Sequence, residues 1–325
     1  MMSSLKIEKY TEDFREKWDD FVLESVNGTI FHTRRFLSYH PPDRFEDCSL
    51  ILKKNDEIFA LFPAVNIEYN GGKTLFSHRG ASYGGFVYKQ NLSISASFTM
   101  VRRLVDFAYS NGFEKIVITI PPIIYSRRPS QYIDFALLKN GFKYLKKELS
   151  SVLFLEDSVE ENVKKFRRAN RTAFRKAIKL GVEVKESEDW DTFYNILKNN
   201  LKIRHNVKPT HTLEELIRLK KLFPEQIRLY GAYINNEMIA GVVMFDCNSQ
   251  VSLAFYISHR EEMQKYRAVN LLFYHIIGDS IKRGFKYLDF GIFTVNMEPN
   301  FGLGRFKEGF GATGIFRDTF YIDIK

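Results

Sequence analysis

The chain has 325 residues, 45% of them hydrophobic and 27% charged, a composition that excludes a disordered or fibrous protein. Its two cysteines, Cys48 and Cys247, lie far apart in sequence, which excludes a disulfide framework or a thiolate metal cluster and indicates a reducing compartment. The formal net charge of +9 favours acidic partners such as tRNA, nucleotides, phosphorylated sugars or an anionic membrane face, although solubility alone also explains it.

The amino-terminal residues contain no apolar signal core, and no stretch approaches the roughly 20 apolar residues that span a bilayer. We therefore expect a cytoplasmic protein with no transmembrane segment. Domains usually have roughly 100 to 200 residues, so the length predicts two of them. We place them at residues 1–156 and 157–325.

An internal repeat runs through the chain, and it begins with two hairpins. Residues 50–65 (LILKKNDEIFALFPAV) predict a strand, a polar turn and a second strand, and residues 229–245 (LYGAYINNEMIAGVVMF) predict the same arrangement. The predicted turn residues are Asn55 and Asp56 in the first hairpin and Asn235 and Asn236 in the second.

Each half continues with an apolar-periodic helix, a strand, a short helix and a further strand. Helices at 95–111 and 268–283 each end at a glycine, where a left-handed backbone turns the chain into a strand. The short helices end at Gly-Phe steps that begin at Gly141 and Gly309. The common order predicts two similar mixed α/β units, with Gly112 equivalent to Gly284 and Gly141 equivalent to Gly309.

A basic amphipathic helix is predicted between the units, over residues 158–180. Ser158 and Glu161 form a capping box at its start, and Gly181 ends it. One face carries basic residues at spacings of three and four, and no acidic residue occurs from 162 to 181. This stripe suits phosphate groups, but a solvated face explains it as well. The stripe consists of Lys164, Arg168, Arg171, Arg175 and Lys179.

Three segments resemble the GNAT acyltransferases, and their tandem arrangement is similar to the Fem family. They are NGTIFHTRRFLSYH at 27–40, KKFRRANRTAFRKAIKLGVEV at 164–184, and YLDFGI followed by NFGLGRFKEGFGA at 300–312. The resemblance implies an α/β fold with a mixed sheet, in which two tandem GNAT-like units are joined by the basic helix. It also implies that the last strand, 316–324, packs against the first unit.

The resemblance places the acyl donor at the loop SHREEMQKYR (258–267) and the helix that follows it. This loop lacks the glycine-rich pattern of coenzyme A users, so the donor remains either an acyl-CoA, such as acetyl-CoA, or an aminoacyl-tRNA, with no tightly bound cofactor. A helix amino terminus is a suitable place for a pyrophosphate. The predicted donor-binding residues are Gln264, Tyr266, Arg267 and Asn270.

The resemblance also places Lys307 in the turn where conventional GNAT enzymes often carry a general-acid tyrosine. A lysine here could stabilise an oxyanion, and the alternative is a surface lysine with no such role. His205 is the candidate general base, ahead of His211, because His211 stands directly before the predicted helix cap at Thr212. The predicted substrate-binding residues are Arg35, Arg171, Arg175, Tyr256 and Arg305.

The sequence contains no metal-ligand motif, and GASYGG at 80–85 is no nucleophile elbow because its serine does not stand between glycines. The favoured function is acyl or aminoacyl transfer to an amine of a cell-envelope or surface-polysaccharide precursor. The acceptor is expected to be an anionic small molecule or a lipid-linked sugar, tRNA is a further partner, and DNA is not expected. The alternatives are a non-catalytic RNA- or tRNA-binding module and a degenerate, structural GNAT pair.

Overall fold

The computed structural model describes residues 5–205 and 207–324, without the side chains of residues 204 and 205. None of the helices in these ranges is both long enough and apolar enough to cross a membrane.

The chain forms two compact units. The first consists of Met1–Glu148 together with Phe316–Lys325, and the second of Leu149–Ile315. The boundary between Glu148 and Leu149 lies eight residues before the domain boundary that the sequence predicts after residue 156. The carboxyl-terminal strand thus groups with the first unit, as the resemblance implies.

The first unit contains two sheets with helices packed against them. Its strands and helices, up to the strand in which the unit ends, are β1 (Lys6–Lys9), α1 (Arg15–Glu24), α2 (Arg34–Leu37), β2 (Glu46–Asp47), β3 (Leu50–Lys54), β4 (Glu57–Phe62), β5 (Val65–Tyr69), β6 (Gly72–Ser77), β7 (Val87–Tyr88), α3 (Ile94–Ser110), β8 (Lys115–Thr119), α4 (Tyr132–Lys139) and β9 (Lys143–Phe154). One sheet has the order β1-β3-β4-β7, and in the other β8-β6-β5-β2 are neighbours. Residues 319–323 pair antiparallel with β8. Apolar residues of α3 and α4 share one core with both sheets.

The second unit is built around one mixed sheet in the order β10-β11-β12-β13-β14, with residues 150–154 of β9 beside β14, and it also contains the two-stranded sheet β15-β16. Its elements are α5 (Val159–Lys165), α6 (Arg168–Lys179), β10 (Glu183–Ser187), α7 (Trp190–His205), α8 (Leu213–Leu222), β11 (Ile227–Ile234), β12 (Glu237–Asp246), β13 (Val251–His259), α9 (Ala268–Lys282), β14 (Tyr287–Ile292), β15 (Thr294–Val295), β16 (Glu298–Pro299), α10 (Phe301–Glu308) and the start of β17 (Thr313–Asp323). Helix α9 crosses over between β13 and β14 and packs into the main core of this unit.

Both predicted hairpins are confirmed, as β3-β4 and β11-β12. The two residues at each tip have positive φ angles, 52° and 62° at Asn55 and Asp56, and 48° and 65° at Asn235 and Asn236. Asn and Asp tolerate this left-handed backbone better than other non-glycine residues, which is why the turns form at these positions.

Three of the four repeat glycines have the left-handed backbone expected after a helix, at Gly112, Gly141 and Gly284. Gly309 does not, because it continues the right-handed conformation of α10 with φ −60°. The left-handed residue of the second unit is Gly311, two positions later, with φ +87°. Gly141 and Gly309 therefore differ in backbone conformation, and their equivalence in the repeat stays a prediction.

The single basic helix expected over 158–180 is also wrong, because the chain breaks into α5 and α6 at Phe166 and Arg167. Both residues have extended backbone, with ψ near 140° to 150°. Phe166 is buried against Phe310 with ring centroids 5.2 Å apart, and burying such a side chain contributes roughly 2 to 3 kcal/mol. The Arg167 amide bonds to the Gly309 carbonyl at 2.9 Å, and Arg171 Nη1 donates to the Phe166 carbonyl at 2.5 Å, so groups freed by the break find partners.

Candidate functional site

The second unit contains a gap between two neighbouring parallel strands. Strands β13 and β14 pair only at their first residues, from Val251 with Tyr287 to Leu253 with Asp289. Both strands then continue, to His259 and Ile292, without pairing to each other. An opening between backbone edges therefore lies at the carboxyl ends of the two strands, where α/β sheets commonly bind ligands.

A β-bulge in β13 accounts for the divergence. The register with β12 shifts so that Val243 lies opposite Tyr256 while Met244 lies opposite Ala254, which leaves Phe255 as the extra residue. A bulge bends and twists its strand, and this one lies where β13 leaves β14. The Phe255 ring stacks on Phe245 with centroids 4.4 Å apart, which fixes the bend.

Gly291 keeps the other side of the gap free of side-chain atoms. Its φ angle is +74°, a conformation that favours glycine, and its amide donates to Asp289 Oδ1 at 2.8 Å. A Cβ at Gly291 would lie 3.8 Å from the carbonyl oxygen of Ala254 on β13. Any larger side chain here would enter the space between the two strands.

Lys307 brings a buried cation to the end of β14. Only 2% of the residue is exposed, and its Nζ donates to the carbonyl oxygens of Gly291 at 2.7 Å and Ile292 at 2.8 Å. Burial lowers the pKa of Lys307 to about 8, an effect that the nearby Asp289 carboxylate partly opposes. The surface alternative for this lysine is therefore wrong. The side chain is not free in solution but is held beside Gly291.

Asp289 is a site residue that the sequence reasoning missed. It is fully buried and accepts a hydrogen bond from Ser150 Oγ at 2.5 Å as well as the one from the Gly291 amide. The signal was present, since a carboxylate within the otherwise apolar segment YLDFGI requires a buried partner.

His211, which the sequence ranked below His205 as a candidate base, makes a partly buried contact with Tyr256. It is 4% exposed, its Nδ1 lies 2.9 Å from Tyr256 Oη, and its amide donates to the same oxygen at 3.2 Å. Tyr194 Oη donates to the His211 carbonyl at 3.1 Å and anchors the segment. Burial raises the pKa of Tyr256 to about 12, so this phenol stays protonated at neutral pH. His211 stands 45 residues from Tyr256 in sequence, and no local pattern could have joined them.

The remaining predicted residues of the second unit lie at several places. His205 is the last residue of α7, and its side chain lies outside the described residues. Arg175 and Arg305 are exposed on α6 and α10. Arg171 is partly exposed, but its guanidinium already bonds to the Phe166 carbonyl.

Arg35 lies in the first unit. Its side chain is exposed on the short helix α2, and its amide donates to Asp19 Oδ2 at 3.0 Å.

The predicted donor loop forms a 3₁₀ helix over Glu261–Tyr266, ahead of α9. Gln264 is exposed on it and accepts the Arg267 amide at 3.1 Å through its carbonyl. Arg267 has a left-handed backbone and supplies no side-chain cap to α9, which leaves the amino terminus of that helix without a capping side chain. Tyr266 packs against the core, and the Asn270 amide bonds to the Arg267 carbonyl at 3.0 Å.

The first unit has a comparable parallel pair, β6 and β8, also joined through a helix. There the backbone of Gly84 occupies the space beyond the strand ends. Its amide donates to the Thr119 carbonyl at 2.8 Å, and a Cβ on it would lie only 2.3 Å from the Ser77 carbonyl oxygen. The GASYGG segment thus fills in the first unit the kind of gap that is open in the second.

No group of three or more His, Cys, Asp or Glu side chains within residues 5–205 and 207–324 is arranged to hold a metal ion. The end of β14 carries a buried ammonium and a carboxylate, and β13 carries Tyr256 with its contact to His211.

Comparison with known proteins identifies the fold of the chain. The model of the acetyltransferase (GNAT) domain matches residues 162–308. The crystal structure of FemX aligns with a TM-score of 0.75 and 13% identity, covering 98% of this chain and 97% of FemX. A tandem GNAT protein from the clavulanic acid biosynthesis pathway aligns with a TM-score of 0.57 and 8% identity, covering 99% of both chains.

A third similar structure is that of L-PGS from Bacillus licheniformis, with a TM-score of 0.58 and 11% identity over 94% of this chain and 90% of the other. A search of curated protein sequences found no match. At these identities the structural likeness shows a shared fold, with two GNAT-like units in one chain.

Proposed function

We propose that this chain, whose residues 162–308 match the GNAT domain model, is a tandem GNAT protein of the Fem-like type, and that its second unit transfers an acyl or aminoacyl group to an amine of an anionic acceptor. The observation that carries the proposal is the open gap between β13 and β14, with the Lys307 ammonium held at its edge. The acyl arm of a donor is long and narrow, and backbone edges on both sides of such a gap can hydrogen-bond to it.

Lys307 is the proposed oxyanion stabiliser. An ammonium has three N–H donors, and two of them are used by the carbonyls of Gly291 and Ile292. The third has no acceptor within the described part of the chain, and in the transition state it can point at the acyl oxygen. A donor aimed at a developing oxyanion typically contributes about 3 kcal/mol.

The reaction needs one proton to move. The acceptor nitrogen attacks the acyl carbon, the C–S bond of a thioester or the C–O bond of an aminoacyl ester breaks, and the leaving thiol or hydroxyl takes up the proton that the amine releases. Tyr256 and His211 are the proposed relay. In the tautomer that leaves His211 Nδ1 unprotonated, the phenol can pass its proton to the ring as it accepts the amine proton, and the reverse transfer then delivers a proton to the leaving thiolate or alkoxide. His205 remains a second candidate base.

The acceptor is proposed to be anionic because exposed arginines lie on α6 and α10. Arg175 and Arg305 can contact phosphates without breaking an internal bond, whereas Arg171 would have to leave the Phe166 carbonyl. Arg35, which the sequence predicts as a substrate-binding residue, lies on α2 of the first unit. A nucleotide-linked or lipid-linked precursor of the cell envelope has the required phosphates. In one of the similar structures the protein is named a putative lysylphosphatidylglycerol synthetase, whose name describes an aminoacyl group on a phosphate-bearing lipid.

The donor is proposed to be an acyl-CoA or an aminoacyl-tRNA, both of which join the reactive acyl group to an adenosine-containing carrier. The proposed donor contacts near the start of α9 remain Gln264, Tyr266, Arg267 and Asn270, although the amides of Arg267 and Asn270 already bond within the loop and the loop has no glycine-rich cradle. We expect the lack of a glycine-rich loop to lower the affinity for a pyrophosphate.

The experiment is a transfer assay with radiolabelled acetyl-CoA, longer acyl-CoAs and aminoacyl-tRNA, each with UDP-linked and lipid-linked sugar-peptide amines. Turnover with one donor class, lost in Lys307→Met, supports the proposal. Binding of tRNA without turnover with any donor would instead indicate a binding module. No binding of donors or acceptors would indicate a structural GNAT pair.

A further inference from the structure

A compact group of apolar side chains is exposed near the start of α10. Val295 is 69% exposed, Met297 55%, Phe301 69% and Leu303 37%, all within nine residues of sequence. Single exposed apolar residues are ordinary in soluble proteins, but a cluster of large ones usually marks an interaction surface. We call these four residues the apolar tip.

The apolar tip is held in place by hydrogen bonds. Strands β15 and β16 form a two-stranded hairpin whose turn residues, Asn296 and Met297, have φ angles of 51° and 68°. The Asn300 amide donates to the Phe293 carbonyl at 2.8 Å, and the Asn300 side chain caps α10 by accepting from the Leu303 amide at 3.0 Å. The exposure is therefore built into the local fold.

Basic residues of the same unit lie on α10, directly after the apolar tip, and on α6. Arg305 follows Phe301 by four residues on α10, so the two side chains share one helix face. At the other end of α10, the Gly309 carbonyl accepts the Arg167 amide, which joins this helix to the start of α6. On α6, Arg171, Arg175 and the 52% exposed Ile178 lie on one line at spacings of four and three.

The charge of this region is strongly one-sided. Residues 164–179 contain eight Lys or Arg and no Asp or Glu. Carboxylates also lie nearby: Glu156 is paired with Lys165 and Glu308 with Arg167, Glu160 and Glu161 stand in the first turn of α5, and Glu298 stands in the hairpin itself. An excess of cations remains along α6, whose start contacts the carboxyl end of α10.

We propose that the apolar tip and α6 together dock this protein on an anionic lipid membrane. A bilayer surface can bind both groups of side chains, because its hydrocarbon accepts apolar side chains and its anionic headgroups attract the basic residues of α6. A nucleic acid matches only the basic half, since the tip offers a single aromatic ring for stacking. This inference concerns membrane binding and does not depend on acyl transfer.

The test is co-sedimentation of the full chain with vesicles of phosphatidylcholine alone and with vesicles that also contain roughly 30% phosphatidylglycerol, a strongly anionic surface. We expect binding to the anionic vesicles, weakened by high salt. Arg175→Gln with Lys179→Gln should weaken it by about fivefold per charge removed. Arg102→Gln with Arg103→Gln, on an exposed face of α3 in the first unit, is the matched control and should have little effect.

Insertion of the apolar tip is tested separately from charge. Met297→Ser with Phe301→Ser should reduce vesicle binding by about tenfold or more, and Tyr109→Ser, a 65% exposed aromatic on α3, should leave it unchanged. Phe301→Trp should show blue-shifted emission when anionic vesicles are added, because both natural tryptophans, Trp18 and Trp190, are already buried.

Several outcomes would overturn the proposal. These are an absence of binding to anionic vesicles, binding that the double serine variant retains in full, or unshifted Phe301→Trp emission in the bound state. Binding of tRNA with no binding of vesicles would assign the basic face to RNA instead. Since no measurement here requires turnover, failure of membrane docking is distinguishable from failure of the transfer proposal.

Discussion

Replacing Lys307 with methionine separates its part in folding from its part in transition-state stabilisation. Methionine keeps most of the aliphatic length and removes the buried charge. The pKa of this lysine is lowered from 10.5 to about 8, so holding the charged form at neutral pH costs on the order of 3 kcal/mol of stability. The variant is relieved of that cost, but it loses hydrogen bonds to two carbonyls, each worth roughly 1.5 to 3 kcal/mol.

These terms oppose each other, so we expect the free energy of unfolding of Lys307→Met at pH 7 to lie close to that of the natural protein. The pH dependence should differ. Because the folded pKa is the lower one, the cost of the buried charge is fully present below about pH 8 and disappears as the pH rises to 10.5. The natural protein should therefore gain stability over this interval relative to the variant. Urea unfolding at several pH values measures both effects.

Turnover should respond much more strongly than stability. Loss of about 3 kcal/mol of oxyanion stabilisation lowers kcat on the order of 100-fold. In the natural protein, kcat should fall as the pH rises through about 8, where the Lys307 ammonium loses its proton. The matched control is Lys139→Met. Lys139 precedes Gly141 as Lys307 precedes Gly309, but it is exposed.

Two results would refute the reasoning about Lys307. One is full kcat in Lys307→Met with a substrate pair that the natural protein turns over. The other is an equal loss of kcat in Lys139→Met, which would show that the effect is not specific to the gap.

Two further predictions concern residues that the structure reassigns. His211→Phe and Tyr256→Phe should each lower kcat and alter its pH profile while leaving the donor KM nearly unchanged. An unchanged pH profile of kcat in both variants would rule out the proposed relay. Arg171→Ala should lower the free energy of unfolding by about 1 to 3 kcal/mol, because it leaves the Phe166 carbonyl without its guanidinium partner. Arg175 is exposed on the same helix, so Arg175→Ala should change the free energy of unfolding little. Thermal melts that show equal effects of the two substitutions would contradict this.

The repeat could be predicted from the sequence because its signals are local. Asn-Asp and Asn-Asn at the hairpin tips, and glycines after helices, encode backbone conformations that their own side chains determine. The GNAT domain was recognisable for the same reason, since segments such as YLDFGI carry it within a few residues.

The break between α5 and α6 could not be predicted, because its cause is not local. The residues around Phe166 are good helix formers, and the break arises because Phe166 packs against Phe310 and Arg167 bonds to Gly309, both more than 140 positions away. Tertiary packing outweighs helix propensity at such a position.

Lys307 illustrates the same limit at the site. Its place in the closing turn was predictable, but its burial depends on the carbonyls of Gly291 and Ile292, whose orientation follows from the left-handed backbone at Gly291. Likewise, the bulge at Phe255 that opens the gap depends on register with β12, which the composition of β13 alone does not encode.

The most direct test of the central claim is donor binding by a chain whose gap is filled. Gly291→Leu places a side chain between β13 and β14, and Gly284→Leu is the matched control, with a similar φ angle of +79° but no neighbouring atom within 4 Å of its Cβ. Native mass spectrometry with acetyl-CoA, longer acyl-CoAs and an aminoacyl-tRNA should show one donor class bound by the natural protein and by Gly284→Leu. In Gly291→Leu we expect binding of that donor to be at least about tenfold weaker, a loss of roughly 1.4 kcal/mol. Undiminished binding by a folded Gly291→Leu protein would contradict the assignment of the gap as the acyl-donor site.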